Sequence, residues 1–146
     1  MPWDLLQYPI HAGLQSFVRD LNKLYRSHPA MYEVDFDYSG FEWIDITDIE
    51  KSIISFLRRA SNPADCIVFV CNFTPVPRQN YSVGVPVAGY YGEILNSDSV
   101  HYGVSNMVNG GGVLSSNVKN HGRPFSISIT LPPLAVVAFQ CPRNTT

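Results

Sequence analysis

The sequence has few charged side chains. They make up 15% of its 146 residues, against about 25% in an ordinary soluble domain. There are 10 Lys and Arg and 12 Asp and Glu, so the net charge is −2 and no basic excess could neutralise a nucleic-acid backbone. Apolar runs reach only about six residues, whereas a membrane-spanning helix needs about 20. We therefore expect neither a nucleic acid nor a membrane as a partner.

Cysteine is also scarce, and the odd number of cysteines argues against a disulfide framework. Cys66 and Cys71 lie in one apolar run. On a strand they would face opposite sides about 17 Å apart and could not pair with each other. No secretory signal follows Met1, so we expect Cys66, Cys71 and Cys141 to be buried free thiols in a cytoplasmic protein. The four histidines are isolated, and no Cys or His lies at metal-ligand spacing, so we expect no metal or other cofactor.

What the sequence does contain is one helical pattern followed by many short strand patterns. Apolar residues recur at the 3.6-residue period, which predicts a helix over residues 11–27; they are Leu14, Phe17, Val18, Leu21, Leu24 and Tyr25. This apolar stripe must dock on the β part or on something outside this chain. Six strands are predicted after it, over residues 52–59, 65–71, 81–85, 89–95, 125–131 and 134–139. Their spacing is typical of an antiparallel β-sandwich, with residues 97–121 as a loop.

The polar motifs favour structural roles. The acid-rich segment from Glu33 to Glu50 lacks the spacing of a calcium loop, so a solvated acidic face with turn caps is the better interpretation. Asn109 and the three glycines after it lack the lysine of a phosphate-binding loop. The acidic residues of the β part show no convergent pair of the kind that glycoside hydrolysis requires, which makes this part a poor candidate for an enzyme; they are Asp65, Glu93 and Asp98.

Aromatic residues crowd the first 43 positions, interleaved with Asp and Glu. Exposed rings stack on sugar faces while carboxylates accept hydroxyl hydrogen bonds, so a shallow sugar-binding platform is one interpretation. The other is that most of these rings belong to the core or to the interface between helix and sandwich.

Several motifs together resemble one family. They cover residues 21–26, 36–43, 72–78 (Asn-Phe-Thr-Pro-Val-Pro-Arg), 93–98, 109–111, 121–124 and 131–134. Over nearly the whole chain, the sequence resembles the C-terminal end of bacterial 1,4-alpha-glucan (glycogen) branching enzymes of the alpha-amylase superfamily. These enzymes form alpha-1,6 branches in glycogen by transferring alpha-1,4-glucan chains.

The resemblance implies an all-β fold, an antiparallel β-sandwich of the alpha-amylase C-terminal type preceded by one amphipathic helix. Residues 1–30 would be the last helix of a truncated (β/α)8 barrel with its preceding loop, residues 31–50 a connection, and residues 51–142 the sandwich. No catalytic motif of the family is present, so the chain would be non-catalytic and would stabilise the absent barrel. Without the barrel, we expect the isolated chain to self-associate. Glucan contacts would lie around Trp3, Asp4, Phe41 and Trp43, and an independent carbohydrate-binding module is the alternative.

Overall fold

The computed structural model describes residues 3–143, with Trp3 described through its backbone alone. A short 3-10 turn (Trp3–Gln7) leads into helix α1 (Pro9–Ser27), and further 3-10 turns lie at Pro29–Met31, Tyr38–Gly40 and Val100–Tyr102. The strands are β1 (Phe41–Asp45), β2 (Ile53–Arg59), β3 (Cys66–Asn72), β4 (Arg78–Val85), β5 (Tyr90–Asn96), β6 (Gly112–Leu114), β7 (Phe125–Leu131) and β8 (Ala135–Gln140). Within the described residues, no helix is long and apolar enough to cross a membrane.

The strands form two antiparallel sheets that face each other. The larger sheet has the order β1-β2-β3-β8-β5-β6, and the smaller pairs β4 with β7. Their facing sides bury a core of aliphatic and aromatic residues that includes Leu57, Val68, Val83, Ile127 and Phe139. The predicted fold class, an antiparallel sandwich preceded by one helix, is confirmed.

Helix α1 lies on the outer face of the larger sheet. It begins with Pro9, whose fixed φ suits the first helical position, and it ends at Ser27 just before Pro29. Leu24 is buried on this face in a second apolar cluster with Ile67, Phe69 and Ala138. Near the start of α1, a Cβ at Gly13 would stand 2.0 Å from the carbonyl oxygen of Tyr102, so only glycine allows this close approach. The helix therefore docks on the β part with one side of its apolar stripe.

Two strands lie where the sequence indicated a connection and a loop. β1 falls within residues 31–50, and β6 falls within residues 97–121. Both are short edge strands that pair with one neighbour each, β1 with β2 and β6 with β5. Edge strands this short carry few alternating positions, so tertiary pairing rather than a local pattern defines them.

The expectation that all three cysteines are free thiols is wrong for two of them. Cys66 and Cys141 form a disulfide, with their Cα atoms 5.3 Å apart. β3 and β8 are antiparallel neighbours, which brings the start of β3 against the residue that follows β8. A sequence separation of 75 residues hides this proximity in the sequence. Cys71 is free and buried as expected, and its burial raises its thiol pKa to about 11.

Candidate functional site

An aromatic row crosses the outer face of the larger sheet and ends at its β1 edge. The rings of Phe69 and Phe56 stack with centroids 5.1 Å apart, and Phe56 stacks on Phe41 at 5.3 Å. Phe41 meets Trp43 edge-to-face at 4.8 Å. Phe41 is therefore held between two other rings, whereas Trp43 is 50% exposed and closes the row. Trp43 is the member of the row with the most free surface.

The predicted sugar-binding residues lie in two places. The structure brings Phe41 and Trp43 together on β1. Asp4 is exposed in the turn before α1, and the first half of α1 packs beside Tyr102, which follows β5. In the sheet order, three strands separate β1 from β5, which places Asp4 away from the two β1 rings. The side chain of Trp3 lies outside the described part of the chain.

At the same β1 edge, two ion pairs of Glu42 connect the larger sheet to the segment that precedes β7. Glu42 accepts from Arg59 on β2 and from Arg123 before β7, each at 2.5 Å. Burial alone would raise the pKa of Glu42, but the hydrogen bonds and charges of Arg123 and Arg59 outweigh it and hold that pKa below its ordinary value. These ion pairs therefore contribute to stability only while Glu42 is ionised.

A third arginine, Arg58, connects the segment that follows α1 to the larger sheet. Arg58 donates to the carbonyl oxygens of Ala30 at 3.3 Å and Met31 at 3.1 Å, and it pairs with Asp35. These contacts run from β2 to the segment that joins the helix to β1. The roles of Arg58 and Glu42 are not visible in the sequence, because both depend on pairing across the fold.

The acid-rich segment is used in turns and pairs. The Asp37 carboxylate accepts from the backbone N–H of Ser39 at 2.8 Å, and hydrogen bonding to Ser39 lowers its pKa. Burial alone would raise the pKa of Asp45, but hydrogen bonds from Thr47 lower it, and so does the electrostatic effect of the nearby His121. No group of three or more His, Cys, Asp or Glu residues within residues 3–143 is placed to hold a metal ion.

Each of the three acidic residues of the β part accepts from neighbouring donors. Asp65 pairs with Arg143 at 2.8 Å. Glu93 accepts from the amide of Asn109, whose oxygen accepts from the backbone of Thr130 at 2.7 Å. Asp98 is buried and accepts from the hydroxyl of Ser105 and the backbone N–H of Met107. These three carboxylates therefore stabilise the local structure of the β part, and they do not converge on one another.

One side of α1 remains uncovered within the described chain. The apolar side chains there are 45% to 79% exposed; they are Ile10, Leu14, Val18 and Tyr25. This open side of α1 adjoins the side that carries Phe17, Leu21 and Leu24 onto the sheet. Neighbouring apolar side chains that stay exposed on one helix are typical of a surface that a partner covers.

Residues 43–142 match the family model of the alpha amylase C-terminal all-beta domain. The chain is 52% identical over 137 residues to the 1,4-alpha-glucan branching enzyme GlgB of Aquifex aeolicus (strain VF5), covering 94% of this chain and 22% of that protein. It is 47% identical over 144 residues to GlgB of Synechocystis sp. (strain ATCC 27184 / PCC 6803 / Kazusa), covering 99% of this chain and 19% of that protein. It thus spans about a fifth of the length of these curated relatives.

A solved structure shows the same fold at low sequence identity. A crystal structure of the MutB F164L mutant, from crystals soaked with trehalulose, superposes with a TM-score of 0.53 at 17% identity. The match covers 86% of this chain and 17% of that one. With its two facing antiparallel sheets and a family match from Trp43 to Pro142, the chain belongs to the alpha-amylase C-terminal all-beta domain family.

Proposed function

We propose that this chain is the C-terminal part of a 1,4-alpha-glucan branching enzyme, which forms alpha-1,6 branches in glycogen by transferring alpha-1,4-glucan chains. The support is the identity of about half the residues to GlgB proteins over nearly the whole chain. In this proposal the chain itself is non-catalytic, and its partner is the catalytic barrel of the same enzyme. A cytoplasmic location is part of the same proposal, and its support is the likeness to GlgB proteins rather than the cysteines, because Cys66 and Cys141 form a disulfide of a kind that is rare in the cytoplasm.

The exposed apolar side of α1 is the structural observation that supports a catalytic barrel as the partner of this chain. In the proposal, residues 1–30 complete the barrel as its last helix, residues 31–50 connect, and residues 51–142 form the sandwich that covers it. A helix with one side on the sandwich and the adjoining apolar side exposed fits between two such bodies. The same exposed side chains would cause the isolated chain to self-associate, since large apolar patches drive association.

The test is complementation. A branching enzyme that lacks the region corresponding to this chain is assayed for branching with and without the added chain. We expect activity to appear only with both parts, and Leu14→Asp to reduce the recovery. Arg19→Gln, on the solvent side of the same helix, serves as the matched control. Branching activity of the chain alone would contradict its non-catalytic role. If the Leu14→Asp variant restored as much branching activity as the wild-type chain, α1 would not be part of the interface with the barrel.

A glucan-holding surface on this chain is the second part of the proposal, with an independent carbohydrate-binding module as the alternative. The half-exposed ring of Trp43 supports it, because the row behind fixes that ring at the sheet edge. The proposed contacts are Trp3, Asp4, Phe41 and Trp43. Because Asp4 lies away from the β1 rings, these residues would touch a long glucan at separate points.

Titration with maltoheptaose while tryptophan fluorescence is recorded tests this surface. A saturable change that is lost in Trp43→Ala and kept in Trp3→Ala would assign binding to β1. If the tryptophan fluorescence of a folded sample does not change with maltoheptaose, the chain is not an independent carbohydrate-binding module, and its proposed role is to cover and stabilise the barrel. Phe41→Leu is the companion variant, since it loosens the support of Trp43 without removing that ring.

A further inference from the structure

A polar groove of about 400 Å³ lies beside the smaller sheet. Its walls come from β4, from the turn between β1 and β2, and from the turn before β7. The side chains that face it are mainly cations and amides; they include Lys51, Arg78, Gln79, Asn80 and Asn120.

Asp48 in this groove and Asp45 beside it each have polar partners within the described residues. Asp48 accepts from the hydroxyl of Tyr81 at 3.0 Å and from the ammonium of Lys51 at 3.2 Å. The carboxylate of Asp45 stands 3.5 Å from the ring Nε2 of His121. These contacts leave no acidic side chain at the groove without a partner.

Arg78 lines the same groove without an acidic partner. No Asp or Glu between residues 3 and 143 lies within salt-bridge distance of its guanidinium. Its Nε, shielded from solvent, has no hydrogen-bond partner in that part of the chain. A guanidinium offers five donors in a fixed plane that matches the oxygens of a phosphate. The terminal nitrogens of Arg78 have no side-chain hydrogen-bond partner among the described residues and are not shielded in this way, so they can donate to a phosphate in the groove.

A β-bulge places the amides of β4 next to this arginine. The register of β4 against β7 shifts between Arg78 and Tyr81, and Asn80 has a positive φ of 54°. Bulges redirect side chains, and here Gln79 and Asn80 are both exposed at the groove. Planar amides of this kind donate to and accept from hydroxyl groups.

We propose that this groove binds a small phosphate ester of a polyhydroxy compound, such as a monophosphorylated sugar. Its phosphate contacts Arg78, and its hydroxyls contact the amides of Gln79 and Asn80. A neutral glucan chain fits less well, because the one phenol ring at the groove, that of Tyr81, already has the Lys51 ammonium 5.8 Å from its centroid. The site is independent of the proposed branching function.

The test is an NMR titration of the ¹⁵N-labelled chain in phosphate-free buffer. Glucose 6-phosphate is the probe, with inorganic phosphate and glucose as comparisons. We expect saturable shifts at the amides of residues 78–82 and 120–121. Arg78→Gln should weaken binding about ten- to a hundredfold, the range for a lost hydrogen bond to a charged group. Arg26→Gln, on the exposed side of α1, is the matched control, and Arg78→Lys should bind with intermediate affinity.

Absence of shifts at these amides in the folded wild-type chain overturns the proposal, whatever the variants do. Binding of glucose with the same affinity as glucose 6-phosphate overturns the role of the phosphate. Binding of inorganic phosphate as tightly as glucose 6-phosphate overturns the role of the amides. An unchanged affinity in a folded Arg78→Gln variant overturns the assignment to Arg78.

Discussion

Asn72, the last residue of β3, holds the turn that joins β3 to β4. It is 2% exposed. Its amide nitrogen donates to the carbonyl oxygens of Val76 at 2.9 Å and Pro132 at 2.8 Å. Its amide oxygen accepts from the backbone N–H of Thr74 at 3.0 Å and from the Thr74 hydroxyl at 2.8 Å. One side chain thus fixes the chain after β3 and ties it to the turn before β8.

The cost of Asn72→Ala follows from where these bonds lie. The bond to Pro132 is buried, so its loss leaves a carbonyl without a partner, at about 1–3 kcal/mol. The other three are partly buried, and water can replace them at about 0.5 kcal/mol each. We expect Asn72→Ala to lower the free energy of unfolding by about 2.5–4.5 kcal/mol. Asn72→Asp should cost at least as much at neutral pH, since it places a carboxylate oxygen against two carbonyl oxygens.

Urea unfolding followed by far-UV circular dichroism measures both variants. Asn22→Ala is the matched control, because Asn22 is exposed on α1 and its replacement should change the free energy of unfolding by no more than about 0.5 kcal/mol. An Asn72→Ala variant within that range would refute the argument. An Asn72→Asp variant as stable as the wild type would show that the two donated bonds do not support the turn.

Three further predictions concern the ion pairs of Glu42, the apolar residues of α1 and the cysteine thiols. Because its pKa is lowered in the fold from an ordinary value of 4.5, the ion pairs of Glu42 stabilise the protein above about that pH, and the effect is lost as the pH falls through the lower folded value. The melting temperature of Glu42→Gln should therefore lie below that of the wild type at pH 7 and converge with it in acid. Leu24→Ala should cost about 2–5 kcal/mol in urea unfolding, whereas Leu14→Ala should cost less than about 1 kcal/mol. The unfolded, unreduced protein should titrate one thiol, and a second thiol without reduction would contradict the Cys66–Cys141 bond.

The sequence predicted most of the secondary structure because the patterns are local. The alternation of residues 125–131 gave the bounds of β7 without error, and the helical period gave α1 to within two residues at its start. The order of the strands was not predictable in the same way. β8 lies between β3 and β5, and nothing in the sequence of β8 indicates these neighbours. The Cys66–Cys141 disulfide was not predictable for the same reason, because it depends on β3 and β8 being neighbours in the sheet.

The site was predictable only where its residues are close in sequence. Phe41 and Trp43 lie two residues apart on one strand, so they share a face by the period of a strand. The row that supports them continues through Phe56 and Phe69, and it exists only because the register of three strands aligns these rings. Arg123 reaches Glu42 across 81 residues, a pairing that no local pattern can reveal.

The structural unit is larger than the family match. That match begins at Trp43, but β3, buried at all seven positions, has an inner face in the sandwich core and an outer face covered partly by α1 and the turn after it. Removing residues 3–40 would expose Ile67, Phe69 and Ala138 on the outer face, and Arg58 would lose its carbonyl partners. The helix therefore belongs physically to the sandwich, while its open side is available to a further body. One apolar side on the sheet and an adjoining side left exposed is what the proposed position between a catalytic barrel and its C-terminal domain would require.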